Sequence, residues 1–302
     1  MIRRILLASA GALALSGAAF AADLPSRAPP PVYLPPPPLW TGFYLGMNAG
    51  GTWSNSNNVN TTSANLFAFP GPTGGPNLAS AITSLANFNA PTRNNAGFIG
   101  GGQIGYNYQF ANSWVAGIEA DFQGVAGSRG TTKTAATLGV PGFPNSVTEF
   151  ASISRSLDYL GTVRGRVGYL VTPTLLIYGT GGLAYGGVNS STGLIDTLAG
   201  PNAVFPNPWF SFGKVSSTRI GWTAGGGVEW MFLPNWSAKA EYLYYDLGSA
   251  TYSGGVLLTN AAANSPFTIN SVHSSTRFSG NVVRAGLNYH FNWGAPPVVA
   301  RY

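Results

Sequence analysis

Charge is scarce in this sequence, cysteine is absent, and no long apolar run follows the N-terminal segment. Charged residues make up 8 % of the 302 positions, whereas a soluble domain has roughly 25 %. Without cysteine the chain has no disulfide, no thiol nucleophile and no thiolate metal ligand. No run of about 18 or more apolar residues follows the first segment, so no transmembrane helix is predicted in the mature chain. A transmembrane helix therefore does not explain the low fraction of charged residues.

Alternation of apolar and polar side chains supplies that explanation, and the run from Val283 to Phe291 shows it best. One face would carry Val283, Ala285, Leu287, Tyr289 and Phe291, and the other Arg284, Gly286, Asn288 and His290. Side chains of a strand point to opposite sides with period two. An apolar face with aromatics and a wet face with full charge are typical of a strand between lipid and a polar lumen.

Seven earlier segments repeat this pattern, which predicts an all-β, eight-stranded antiparallel transmembrane up-and-down β-barrel. They are residues 40–53, 97–110, 114–126, 153–169, 175–188, 218–232 and 236–247. In the fourth segment the alternation directs Leu157 outward and Asp158 inward. An even strand number places both chain ends on one side of the barrel.

Connections between the predicted strands alternate in length. Tight turns are predicted at residues 111–113, 171–174 and 233–235, whereas the other connections are long and rich in Asn, Thr, Ser, Gly and Pro. Short periplasmic turns and long extracellular loops are typical of outer-membrane barrels. The loops at 54–96 and 249–275 carry almost no charge, which favours hydrogen bonding over electrostatic steering of ligands.

The N-terminal region predicts export. Residues 1–21 have a basic start, a short apolar stretch and the small-residue site Ala19-Phe20-Ala21, as in a cleaved signal peptide. Residues 22–39 are proline-rich and predict an extended periplasmic spacer, either a plain linker or a docking segment for an envelope partner. The barrel would then occupy residues 40–302.

Charged side chains on the predicted inner face balance one another. The predicted lumen ion-pair network consists of Glu119, Asp121, Arg164, Arg166, Glu229, Lys239, Glu241 and Arg284. A lipid-facing Lys or Arg costs about 2–4 kcal/mol, and an unpaired buried charge costs several. Across the short turn, Phe232 opposite Trp236 would bring Glu229 directly against Lys239. Because eight strands enclose a space that side chains fill, we expect a plug, with a conducting pathway as the alternative.

Aromatic residues gather near the predicted tight turns. They are Trp40, Trp114, Trp236, Tyr108, Phe110, Tyr169, Phe232, Tyr289 and Phe291. Aromatic girdles lie at membrane interfaces, so these residues are expected to face outward at the periplasmic side.

Several of these strands resemble known proteins. Residues 40–46 (WTGFYLG), 161–169 (GTVRGRVGY), 181–186, 239–248 (KAEYLYYDLG) and 283–291 resemble the small outer-membrane barrels that include opacity-protein-like and outer-membrane immunogenic proteins of Gram-negative bacteria. The resemblance implies a porin-family protein of the bacterial outer membrane, surrounded by lipid and lipopolysaccharide. It also implies an assembly machinery that reads a C-terminal aromatic strand, here Tyr289 and Phe291, with Tyr302 as the alternative. It implies no catalytic residue. No cofactor is predicted, and no acidic cluster in a loop predicts a metal site.

Three functions fit these patterns. The first is a structural or surface-exposed barrel with an ion-paired lumen, whose loops contact an extracellular ligand, and the second is a small porin. The third is a lipid-modifying enzyme or protease, for which His273 beside Ser271, Ser274 and Ser275 is the candidate, although no third, orienting group accompanies it. Scattered basic residues argue against nucleic acid as a partner.

Overall fold

The computed structural model describes residues 40–68, 75–93, 96–201, 208–258 and 268–291. The predicted signal peptide at 1–21, the predicted spacer at 22–39 and Tyr302 lie outside these residues and stay predictions. The described residues form β1 (Gly42–Ser54), β2 (Asn58–Ala68), α1 (Gly75–Leu85), β3 (Phe88–Pro91), β4 (Gly97–Phe110), β5 (Trp114–Ala126), β6 (Gly130–Gly139), β7 (Ser146–Thr172), β8 (Leu175–Ala199), β9 (Trp209–Leu233), β10 (Trp236–Leu258) and β11 (Thr268–Phe291).

Eight strands close into an antiparallel ring, which confirms the predicted fold class. The order around the ring is β1, β4, β5, β7, β8, β9, β10 and β11, and β11 pairs again with β1. The first and last strands stay in register from Phe43 opposite Phe291 to Ser54 opposite Gly280. The predicted limits of β4 and β5 and all three tight turns are confirmed. We call the end of the ring with these turns the turn end.

At the other end, several strands extend beyond the ring and pair with additional strands. We call this region the upper tier. Strands β7 to β11 are 23 to 27 residues long, whereas about 9–11 residues suffice to cross a bilayer. Three further strands join only here, because β2 pairs the first half of β11, β3 pairs β2, and β6 pairs β7. The expectation of long loops at 54–96 and 249–275 is therefore wrong over much of their length.

Helix α1 lies among the strands of the upper tier and builds its core. Its side chains Leu78, Ala81 and Ile82 are buried against Val147 of β7 and Leu194 of β8. This helix was not predicted, because it lies in a segment assigned to a polar loop. Within the described residues no helix has both the length and the apolarity needed to cross a membrane.

A β-bulge in β7 reverses the predicted direction of two side chains. The register of β7 against β8 shifts between Leu157 and Tyr159. Because an extra residue exchanges the two faces of a strand, Leu157 is buried inside the ring and Asp158 is exposed. The strict alternation had placed both side chains on the opposite faces.

Close approach of neighbouring backbones requires glycine at position 221 of β9. A Cβ atom built on Gly221 would lie 1.8 Å from the carbonyl oxygen of Asp246 on β10, whereas one built on Gly124 of β5 meets nothing within 4 Å. We expect Gly221→Ala to destabilise the folded protein by about 1–3 kcal/mol, since overpacking forces the backbones apart. Urea unfolding followed by heat-modifiable gel mobility measures this change. Gly124→Ala is the matched control, and equal stability of the two variants would contradict the prediction.

Candidate functional site: an ionic lumen

All eight charged residues of the predicted network project into the ring near its turn end. They come from five strands, β5, β7, β9, β10 and β11, and are only 0 to 4 % exposed. The two-residue periodicity of each strand places them inward, because their neighbours on both sides face out. The structure therefore brings together every member of the set.

Two arginines bridge the carboxylates of the network. Arg164 donates to Asp121 at 2.9 Å, to Glu241 at 2.9 Å and to Glu119 at 2.5 Å. Arg284 donates to Asp121 at 2.8 Å and to Glu241 through its Nε at 2.7 Å. Planar guanidinium groups with several donors suit such shared, charge-assisted bonding. Removing either arginine would leave at least two buried carboxylates short of a partner.

Glu119 contacts more basic residues than any other acid of the network. The Lys239 ammonium donates to both of its carboxylate oxygens at 2.9 Å, and the Tyr44 hydroxyl donates to Oε2 at 2.7 Å. Arg166 and Arg284 stand further off, at 3.5 and 3.6 Å. One carboxylate thus neutralises part of the charge of four basic groups.

Glu229 has a separate set of partners. It accepts from Arg166 at 2.6 Å, from the Ser237 hydroxyl at 2.6 Å and from the Asn288 amide at 2.7 Å. Lys239 does lie opposite Glu229 in the register of β9 and β10, as predicted. Nevertheless, Lys239 reaches across the lumen to Glu119, so the expected direct Glu229–Lys239 contact is wrong. A bulge at Trp236, which lies opposite Leu233 instead of Phe232, accompanies this register.

Several neutral partners complete the site, and sequence reasoning did not assign them to it. Tyr178 donates to Glu241 at 3.1 Å, Thr162 donates to Asp121 at 2.9 Å, and Gln103 donates to Asn288. All three are buried at inward positions. Thr162 and Gln103 follow the two-residue alternation of their strands, whereas several glycines interrupt this pattern around Tyr178.

Apolar layers lie on both sides of the ionic cluster. Towards the turn end, Trp40 packs with Val115, Leu176 and Met231, and its indole N–H donates to the Pro173 carbonyl at 3.0 Å. Trp40 is 0 % exposed, so its predicted place in the outward aromatic girdle is wrong. It precedes the first strand, whose alternation does not determine its direction.

The opposite layer separates the ionic cluster from the upper tier. Buried residues of five strands form it: Ile99, Leu157, Leu160, Ala184, Val188, Leu243, Tyr245, Leu247, Ala250, Phe278 and Val282. Above them Arg155, also buried, donates to the backbone carbonyls of Ser56 and Arg277 at 2.7 and 2.6 Å. The interior is thus occupied by side chains at successive levels.

The outside of the ring has the inverse polarity. Large apolar side chains such as Met47 and Ile220 are 73 and 74 % exposed, and together they form a belt. Near the turn end the other predicted girdle residues face outward, and Trp114 meets Tyr169 edge to face at 5.4 Å. At the end of β11, Tyr289 packs between Trp236 and Phe291. An apolar outside around an ionic inside fits a strand ring immersed in lipid.

A family model decides the assignment. The family described as the outer membrane protein beta-barrel domain matches residues 7–291. The chain belongs to this family. The barrel is 31 % identical over 299 residues to the 31 kDa outer-membrane immunogenic protein of Brucella melitensis, a match that covers 96 % of this chain and all of that protein. It is also 31 % identical over 164 residues to the 22 kDa outer membrane protein of Rhizobium leguminosarum, covering 51 % of this chain and 59 % of that one.

Among solved structures, the outer membrane protein OprG from Pseudomonas aeruginosa matches with a TM-score of 0.34 and 13 % identity, covering 83 % of this chain and 97 % of that one. The family assignment itself comes from the sequence matches. The protein is therefore a β-barrel of the bacterial outer membrane. Because barrels of this membrane have short periplasmic turns and longer extracellular loops, we expect the turn end to face the periplasm and the upper tier to lie on the extracellular side.

Proposed function

We propose that this protein is a closed outer-membrane barrel whose role is structural and surface-exposed, and that it does not conduct solutes. The observation that carries the proposal is the lumen, where eight charges neutralise one another between two apolar layers. A diffusion channel needs a continuous hydrated path, whereas eight strands enclose a space that side chains fill. The ion-pair network then acts as a plug.

Planar-bilayer recording tests the closed lumen. We expect the unmutated barrel to show no stable, ohmic openings, because every level of the interior holds packed side chains. Lys239→Ala removes one bulky member of the plug and should at most produce brief, irregular openings. Stable ohmic steps in the unmutated protein would contradict the proposal and support the small-porin alternative.

We further propose that the barrel is not an enzyme. His273 is exposed on β11, whereas Ser274 is buried and faces inward. Ser237 lies 2.9 Å from Nε2 of His290, and Glu229 approaches the same nitrogen at 3.4 Å. In a catalytic triad the carboxylate binds the other ring nitrogen and orients the histidine from behind. These three residues are also fully enclosed, so no substrate reaches the hydroxyl.

The partners that we propose follow from the surfaces of the barrel. The apolar belt contacts membrane lipid and lipopolysaccharide, and the aromatic end of β11, with Tyr289 and Phe291, is the segment that the assembly machinery reads. The upper tier is the surface open to extracellular ligands. A relative carries the word immunogenic in its name, which supports exposure of the corresponding region here.

A further inference from the structure

A groove of about 440 Å³ crosses the outer surface of the upper tier. It runs over four neighbouring strands, from Lys133 on β6 across β7 and β8 to Phe212 on β9. Gly193 and Ser152 lie opposite each other at its floor, where the missing side chain of Gly193 leaves a depression. The side chains of Phe150, Ile195, Phe210 and Phe212 rise around it and are 38 to 69 % exposed.

This aromatic cluster is separate from the lipid belt. On β9, the outward positions between Phe212 and the belt residue Ile220 are Lys214, Ser216 and Thr218, all of them exposed. At about 3.3 Å per residue and a tilt of about 40°, eight residues place Phe212 roughly 20 Å beyond Ile220. Exposed apolar clusters in water mark binding surfaces more often than chance. The membrane core therefore does not cover the groove, and we expect another molecule to bind there.

The end of the groove at β6 is positively charged. Lys133 lines the groove and also a neighbouring open cleft of about 480 Å³, which it shares with Arg93. This cleft lies where β3 approaches β6, joined by the Thr132 hydroxyl that donates to the Pro91 carbonyl at 2.9 Å. Neither cavity has an acidic side chain among the described residues that line it. The groove thus combines an apolar trough with a cationic end.

We propose that this groove binds a free fatty acid, with its carboxylate on Lys133 and its chain across β7, β8 and β9. Three spacings between strands of about 4.8 Å give a trough roughly 14 Å long. An extended chain of about ten to twelve carbons has this length, since each carbon adds about 1.3 Å. Saccharides suit the groove poorly, because Ser152 and Thr134 are the main side-chain hydroxyls along a wall of phenylalanine.

Photo-crosslinking in lipid nanodiscs tests this site with the full barrel. The probe is dodecanoate carrying a diazirine on its chain, and mass spectrometry maps the labelled peptides. We expect saturable labelling of the peptides that contain Phe150, Phe210 or Phe212, and competition by unlabelled dodecanoate. Labelling confined to the belt, or labelling that does not saturate, would overturn the proposal.

Three variants separate the groove from general lipid contact. Gly193→Leu fills the floor, and its Cβ meets Phe212 at an ordinary 3.4 Å, so the fold should persist while labelling drops at least tenfold. Lys133→Gln should weaken labelling about three- to tenfold, whereas Lys214→Gln, outside the groove, should leave it unchanged. Heat-modifiable mobility confirms that each variant is folded. Undiminished labelling of folded Gly193→Leu would refute the site.

A separate competition measurement tests the proposed pairing of the fatty-acid carboxylate with Lys133. Dodecanol has the same chain without the carboxylate, so it should compete for the groove at least threefold more weakly than dodecanoate. In Lys133→Gln the two competitors should become equal. Equal competition in the unmutated barrel would refute the pairing of the carboxylate with Lys133.

Discussion

Replacing Glu119 by glutamine is expected to destabilise the barrel by about 3–5 kcal/mol, since removing one partner leaves buried charges uncompensated. Glu119 accepts from Lys239 at 2.9 Å and from Arg164 at 2.5 Å, and glutamine keeps the shape while removing the negative charge. The four basic residues would then face three acids in a space closed to water. Urea unfolding of the barrel refolded in lipid vesicles measures the loss.

Two further variants make this prediction specific. Asp158→Asn removes an exposed carboxylate from β7 and should change stability by less than about 1 kcal/mol. The double variant Glu119→Gln/Lys239→Met removes both charges of one contact and should recover part of the loss, because partners in one network are not additive. A loss below about 1 kcal/mol for Glu119→Gln would show that the ion pairs contribute little.

Raising the pH is expected to loosen the upper tier. Glu149 and Asp196 face each other on β7 and β8, 3 and 0 % exposed, and buried oxygens of both carboxyls have no hydrogen-bond partner. Burial, and secondarily the charge of Asp196, raises the pKa of Glu149 to about 8. Burial raises the pKa of Asp196 to about 7. Both residues lie about 20 residues beyond the periplasmic turn, outside the membrane-spanning part of the strands.

The direction of the effect follows from proton binding. The folded tier keeps these protons to a higher pH than the unfolded chain, so the stability that they provide is complete below about pH 4 and is lost as pH rises through 7 to 8. Among the described residues, no basic side chain that faces the two carboxyls opposes the loss. Helix α1 is uncharged, Ala136 faces Glu149 from β6, Trp209 faces Asp196 from β9, and the nearest basic residues along β6 and β9, Lys133 and Lys214, are exposed.

Hydrogen exchange of the α1 amides measures this loosening. Between about pH 6 and pH 9 the tier should lose about 3 kcal/mol, which lowers protection of α1 roughly 100-fold after correction for intrinsic exchange. The double variant Glu149→Gln/Asp196→Asn is the control, because it cannot titrate. Identical pH profiles for the two proteins would contradict the prediction.

The sequence predicted the ring well because period-two alternation leaves little freedom. A slip of one residue would turn every inward charge to lipid, so the faces of β4 and β5 and of the segments around Arg164 and Lys239 could be assigned from sequence alone. Alternation fails at two local features of the chain. A bulge after Leu157 exchanges the faces of β7, and Trp40 precedes the strand whose alternation would have directed it.

Contacts across the lumen could not be predicted from strand registers. Glu229 and Lys239 are neighbours in the sheet, yet Lys239 pairs with Glu119 on the far wall, because closure of the ring brings β5 and β10 within reach of each other. Helix α1 and the upper tier were missed for another reason. Helix α1 is uncharged, the upper tier carries few charges, and both are rich in small residues, a composition that fits both a loop and a buried element.

The paired strands of the upper tier determine which kind of epitope antibodies against this protein would recognise. A surface built from strands distant in sequence presents epitopes assembled from several segments at once. β2 beside β11 joins residues more than two hundred positions apart. Serum raised against intact cells would therefore bind the native antigen far better than boiled protein or synthetic linear peptides.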